Sequence, residues 1–226
     1  MTHTSFLTPA ERSELERWGW QRRDLRVLFH GGGGDCERCA AFFLPDWLEE
    51  ESFCAEDYLS AIRLTAFFGA PGHRDYLGAL LGMGIGREWL GDIRVTDNIA
   101  HIFCLPSVQK HLLGIEKVGR YTVRAEAIAL SEVPAPERRV KEKHFSVQSL
   151  RLDAVVAGLF DLSRTEAARQ IEAGNVSVNY RECLKCDLAI REGDVLSLRG
   201  KGKGSVTGLG GSSRKGRLFV HGEVLQ

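Results

Sequence analysis

One stretch constrains the chain more than any other: "RLDAVVAGLFDLSRTEAARQIEAGNVSVNY", residues 151–180. Leu152, Val155, Val156 and Leu159 follow the i, i+3, i+4, i+7 spacing of a helix with one buried face. Ser163 with Glu166 has the spacing of a capping box, which opens a second helix. Ala167, Ala168 and Ile171 give that helix its inner face. Gly174 stops it, because glycine tolerates a left-handed backbone. "VSVN" and the later "DVLSLRG" alternate as short strands. Two short helices feeding a small sheet are therefore expected after residue 145.

The preceding sequence predicts different units. Thr8, Pro9 and the acids that follow mark a helix start. "LRVLFH" (25–30) and "CAAFFL" (39–44) read as strands, with the glycines between them as a flexible hairpin connection. From 58 to 130 the order is strand, helix, strand, strand, helix, strand. The strands are "YLSAIRLTAFF", "GDIRV", "IAHIFC" and "YTVRAEAIAL". The helices are "HRDYLGALLGMGI" and "LPSVQKHLLGI", the latter with Val108, Leu112, Leu113 and Ile115 on one face. A βαββαβ order gives a ferredoxin-like sandwich, the architecture of RNA-recognition modules and of many unrelated proteins. "SEVPAPERRVKEKH" is polar with two prolines and reads as a boundary.

The expected fold class is α+β. Its expected divisions are an N-terminal helix and β-hairpin region (1–57), a ferredoxin-like βαββαβ domain (58–133), a linker (134–144) and a small C-terminal domain with a basic glycine-rich extension (145–226).

Charge separates these parts. The chain is formally neutral, yet residues 1–133 hold 14 Lys/Arg against 19 Asp/Glu, and residues 134–226 hold 16 against 11. Halves of opposite sign point to modules with separate partners. "RGKGKGSVTGLGGSSRKGR" (199–217) has six basic residues and no acid, a footprint suited to phosphate backbones. No run approaches the 18 apolar residues of a membrane helix. The first residues lack the long apolar stretch of a secretory leader. A cytoplasmic location with mostly reduced cysteines is expected.

Catalytic readings fare poorly. "CERC" (36–39) and "CLKC" (183–186) share a spacing, but 143 residues separate Cys39 from Cys183. Paired zinc knuckles lie about 15–20 residues apart, so no metal is expected. "HGGGGD" (30–35) resembles the oxyanion loop of lipases, yet no Gly-x-Ser-x-Gly accompanies it. His73, Arg74 and Asp75 are consecutive and would point in different directions from a helix. No nucleophile–base pair emerges, and neither an enzyme nor a cofactor is expected.

Arg151 and Arg164 stand where the two C-terminal helices begin. A guanidinium beside open helix amides suits a phosphate or an RNA bend. The plainer reading of Arg164 is an ion pair with Glu166 or Asp161. Arg169, Lys185, Arg199, Lys201 and Lys203 on the same small module favour nucleic acid.

Arg151-Leu-Asp, Ser163-Arg164, Ala168, Gly174, Val176, Val178-Asn179, Gly193-Asp194 and Arg199-Gly200 together resemble the S-four domain. That is the small RNA-binding domain named after the fourth protein of the small ribosomal subunit. "LFHGGGGDCERCAAFFLPDW", "HRDYLGALLGMGIGREWLGDI" and "SSRKGR" extend the resemblance, over nearly the whole chain, to the YlmH family of bacterial proteins. The resemblance implies a ferredoxin-like RNA-binding domain followed by an S-four domain; a monomeric, non-enzymatic protein is expected. It implies rRNA and tRNA as partners on a large ribosomal subunit that carries an obstructed peptidyl-tRNA. There the family acts in ribosome-associated quality control, assisting C-terminal tailing. The residues expected to meet RNA are Arg151, Ser163, Arg164, Arg169, Lys185, Arg199, Lys201, Lys203, Arg214, Lys215 and Arg217. A division-linked protein scaffold and the RNA-binding arm of an rRNA-modification system are the alternatives.

Overall fold

Thr8 and Glu11 close the start of the first helix reciprocally. The Thr8 amide donates to the Glu11 carboxylate at 2.7 Å, and the Glu11 amide donates to Thr8 Oγ1 at 3.3 Å. The Thr8 amide, and then the Thr8 hydroxyl donating to the same carboxylate at 2.8 Å, hold the Glu11 pKa below its ordinary value. The computed structural model describes residues 1–19, 26–136, 140–212 and 216–225. It divides into two units, Met1–Pro136 and Glu137–Gln226.

The first unit opens with β1 (Thr2–His3), α1 (Pro9–Gly19), β2 (Arg26–His30) and β3 (Ala40–Leu44). The three strands form an antiparallel sheet in the order β1-β3-β2. Then come β4 (Ser60–Ala66), α2 (His73–Gly82), β5 (Leu90–Thr96), β6 (Ile99–Cys104), α3 (Pro106–Leu112), β7 (Lys117–Val118) and β8 (Tyr121–Ile128). Their sheet has the order β5-β6-β4-β8-β7, with every pair antiparallel. This is the split βαβ arrangement expected from the sequence, with the two-residue β7 added at one edge.

Strand alternation gives this sheet two different faces. Ile62, Leu64 and Ala66 of β4 turn toward α2 and α3, where they pack with Tyr76, Leu80, Ile102 and Leu112. Each such large side chain stabilises the fold by about 1.5–3 kcal/mol through burial. On the opposite face, Ala61 and Phe103 share a core with Phe6, which follows β1, and with Ala40, Phe42 and Leu44 of β3. The expected division at residues 57 and 58 therefore falls inside one core. Its cause is Phe103, which the β6 register turns away from the helices and toward Phe6 and Phe42.

Two further expectations change. Gly31 and Gly32 are buried rather than a flexible connection. A Cβ on Gly32 would lie 2.4 Å from the Phe103 ring, and its φ of +101° also favours glycine. Leu113, expected on the buried face of α3, is 37% exposed because it follows the last helical residue and turns outward.

The second unit begins with β9 (Val140–Val147), α4 (Leu152–Leu159) and α5 (Arg164–Glu172). It continues with β10 (Val176–Val178), β11 (Arg181–Glu182), β12 (Val195–Leu198), β13 (Gly202–Ser212) and β14 (Leu218–Leu225). These strands make a six-stranded antiparallel sheet, β11-β10-β12-β13-β14-β9. Residues 140–144, expected in a linker, are instead the first half of β9, paired with β14 from Val140↔Leu225 onward. Lys141, Glu142 and Lys143 hid the strand. Charged side chains on an edge strand look like linker composition, yet they are how edges avoid aggregation.

Leu152, Val155, Val156 and Leu159 are fully buried, as their spacing demands, together with Ala167 and Ile171. Both helices end in Schellman-type turns. The Leu162 amide reaches the Ala157 carbonyl at 2.9 Å past Asp161, whose φ is +53°. The Asn175 amide reaches the Gln170 carbonyl at 3.0 Å past Gly174, whose φ is +73°.

Candidate nucleic-acid interface

The starts of α4 and α5 are joined by a carboxylate. Asp153, in the first turn of α4, is only 6% exposed. Arg151 donates to it from Nε at 3.3 Å and from Nη2 at 3.4 Å. Arg164 donates from Nε at 3.2 Å and from Nη2 at 3.1 Å. Burial alone would raise the Asp153 pKa, but hydrogen bonds from Arg151 and then Arg164 outweigh it and hold the pKa below its ordinary value. Two guanidinium groups thus share one anion and leave a net positive charge. Their side chains stay 42% and 57% exposed, so each arginine is oriented from below and open from above.

The plainer partners expected for Arg164, Glu166 and Asp161, are engaged elsewhere. Asp161 pairs with Lys143, and Glu166 binds Arg169 at 2.8 Å and Gln170 at 2.7 Å. The capping box is therefore half formed. Ser163 Oγ accepts the Glu166 amide at 3.1 Å, but the Glu166 carboxylate turns to Arg169 and Gln170 instead of returning to the Ser163 amide. A forked guanidinium bond is stronger than one neutral amide bond, which explains the choice. The Arg164 and Thr165 amides begin the exposed end of α5, where helix geometry provides no acceptor.

These bonds push the Glu166 pKa down to about 2, with Arg169 the first cause. A depressed carboxylate contributes stability that is present above its unfolded pKa and lost as pH falls toward its folded one. In urea melts between pH 5 and about pH 2, Glu166→Gln should flatten the acid loss of stability of the second unit. Identical acid limbs for both chains would contradict that role.

α4 is capped by the loop holding "CLKC". The Leu152 amide donates to the Leu188 carbonyl at 2.9 Å and the Asp153 amide to the Cys186 carbonyl at 3.1 Å. Cys183 and Cys186 pack partly buried against the helical core, which leaves Lys185 exposed beside the start of α4.

The other cations spread over the module. Lys203 on β13 lies 5.4 Å from the centre of the Tyr180 ring, a cation–π contact at the β10–β11 turn. Arg199 is exposed at the end of β12. Arg169 is tied to Glu166, and Arg217 donates to the Ser146 carbonyl at 2.7 Å. Lys201 donates to the Phe160 carbonyl at 3.3 Å, at the far end of α4. There Lys141, Lys143 and Lys201 line a pocket with Asp161. Arg214 and Lys215 lie outside the described residues.

Arg151, Ser163 and Arg164 thus come together, whereas Lys201 and Arg217 belong to other parts of the surface. Sequence reasoning missed Asp153, Tyr180, Lys141 and Lys143. Asp153 carried a usable signal. It is a carboxylate two residues from one expected RNA-binding arginine, beside the buried stripe of α4.

A helix pair presenting fixed arginines on a small sheet, in a chain that also holds a ferredoxin-like domain, defines an S-four-type RNA-binding protein. Comparisons with known proteins agree. The family described as "Putative RNA-binding domain in YlmH" matches residues 51–132, and the S4 domain matches residues 150–196. Over 221 residues the chain is 31% identical to the ribosome-associated protein quality control protein P2 of Bacillus subtilis (strain 168), covering 97% of this chain and 86% of that protein. The chain belongs to the YlmH family of S4-domain RNA-binding proteins. The solved cell division protein ylmH from Streptococcus pneumoniae shares the fold, with a TM-score of 0.50 and 21% identity over 58% of this chain and 80% of that one.

Proposed function

We propose that this protein binds rRNA and tRNA on the large ribosomal subunit, steadying an obstructed peptidyl-tRNA during ribosome-associated quality control, without catalysing a reaction. The observation that carries this reading is the pair Arg151 and Arg164 held on buried Asp153. Side chains already oriented lose little further freedom when they grip a phosphate. Arg199, Lys185 and Lys203 extend the cationic surface of the same module. The relative from Bacillus subtilis, aligned over 97% of this chain and 86% of its own, bears a quality-control name and supports the ribosomal setting.

Co-sedimentation with purified large subunits over a series of salt concentrations tests it. Neutralising about four to six phosphates gives a log–log slope near −3 to −5. A slope near zero would contradict phosphate gripping.

A further inference from the structure

The five-stranded sheet has one face turned away from α2 and α3, and the N-terminal sheet covers only part of it. Strand register sets the residues of this face in rows. Ala61 lies beside Phe103 and Ile128. Next, Arg63 lies between His101 and Glu126, with Arg94 of β5 opposite His101. Beyond that, Thr65 lies between Ile99 and Arg124.

The first row is sealed. Phe103 is the aromatic side chain on a central strand of this face, the position where sheet platforms of this topology stack RNA bases. Here it is 0% exposed, beneath Gly32 and with the Arg94 guanidinium 5.1 Å from its ring centre. No base can reach it.

The second row is half-exposed over Arg63 and Glu126, with His101 buried beside them, and the third opens further at Arg124. Arg63 and Arg124 are 36% and 69% exposed, and both pair with Glu126, at 2.7 and 3.1 Å. Two arginines thus share the Glu126 carboxylate, while the Arg94 guanidinium is turned to the Gly34 and Pro134 carbonyls. His101, between Arg63 and Arg94, has a buried Nδ1 that finds no hydrogen-bond partner among the described residues. Such groups are rare in packed interiors. Past the third row the chain leaves β4 through Phe67 and Phe68, 57% and 86% exposed. The Phe67 amide donates to the Thr122 carbonyl at 3.1 Å, which continues the sheet and keeps Phe67 on the side of Arg63 and Thr65. Gly69, with φ of +76°, lies close against Tyr121 and fixes the loop. An ordered, exposed phenylalanine beside arginines has the composition of a stacking platform with phosphate contacts.

We propose that this open half-face binds single-stranded RNA, with Phe67 stacking on a base and Arg63 and Arg124 contacting the flanking phosphates. Duplex RNA fits less well, since its bases are already stacked on one another. The inference rests on the RNA-binding reading of the chain but uses a surface other than the Arg151–Arg164 pair.

The test uses the full chain and a fluorescein-labelled ten-nucleotide single-stranded RNA of mixed sequence, read by fluorescence anisotropy. Phe67→Ala should weaken binding at least about fivefold, both alone and in an Arg164→Ala background. Arg63→Gln with Arg124→Gln should flatten the salt slope by about 1.4, for two single-strand phosphate contacts. Lys110→Gln, an exposed charge on α3, should change neither. Circular dichroism melts confirm that each variant is folded. Affinity within twofold of the parent for both sheet variants, with loss only in Arg164→Ala, would overturn this site and leave the C-terminal one standing. Equal loss for a duplex of the same length would overturn the single-strand assignment. Loss in Phe67→Ala, with large-subunit binding unaffected by Arg164→Ala, would support this site and count against the C-terminal one.

Discussion

Replacing Arg164 by Ala should weaken binding to large ribosomal subunits about 10- to 100-fold and leave the chain folded. Hydrogen bonds to a charged group contribute about 1.5–3 kcal/mol, and about 1.4 kcal/mol is a factor of ten in affinity. Arg164 supplies a guanidinium at the open start of α5, held in place by Asp153 before any RNA arrives. Its loss removes both the charge and the prepared geometry. The fold should tolerate this, because Arg164 is more than half exposed and Asp153 keeps Arg151 as a partner. Asp153 is buried and loses one of its two partners, so the melting midpoint should fall by about 4–8 °C while the unit stays folded. Asp153→Asn gives a companion result. It keeps the shape but removes the anion that orients both arginines, so affinity should fall with both cations still present. Unchanged co-sedimentation of Arg164→Ala, in a folded chain, would remove Arg164 from the interface.

Phe103→Ala should produce the largest loss of stability, and only in the first unit. Truncating a fully buried phenylalanine costs about 3–5 kcal/mol, against a total of about 5–15 kcal/mol for a typical domain. Phe103 is 0% exposed and shares its core with Phe6, Phe42 and Leu44. Its removal leaves a void between the N-terminal sheet and the ferredoxin-like sheet. All four tryptophans lie within residues 1–136, so tryptophan fluorescence during urea unfolding reports this unit alone. The midpoint should drop sharply, while binding through Arg151 and Arg164 persists below it. An unchanged midpoint would mean that the two sheets do not depend on a common core.

Legibility in the sequence followed how local the determining physics was. α4 and α5 were readable because Leu152, Val155, Val156 and Leu159 repeat at helical spacing, and because Ser163 and Gly174 mark ends by their own backbone chemistry. The βαββαβ order was readable for the same reason. β9 was not, since Lys141, Glu142 and Lys143 gain strand character only by pairing with β14. The fusion of the first 57 residues with the next domain was also hidden. It depends on Phe103 meeting Gly32, 71 positions earlier in the chain. In the candidate site, the arginines were visible as charges at helix starts. Asp153 stood two residues from Arg151, a usable signal, but an acid in a first turn reads equally as a partner of the helix dipole, so spacing alone did not single it out. Only the folded arrangement shows that both arginines converge on it. Glu166 shows the reverse case. Its capping-box spacing is correct, yet Arg169 and Gln170 compete for the carboxylate and win.

The proposed grip on rRNA and tRNA of the large ribosomal subunit can be read out in cells. Ultraviolet crosslinking of the full chain in cells, followed by sequencing of the attached RNA, tests it most directly. Large-subunit rRNA and tRNA should dominate the reads, with crosslinked peptides that include Arg164. Reads dominated by small-subunit rRNA or messenger RNA, or no RNA above an uncrosslinked control, would contradict it.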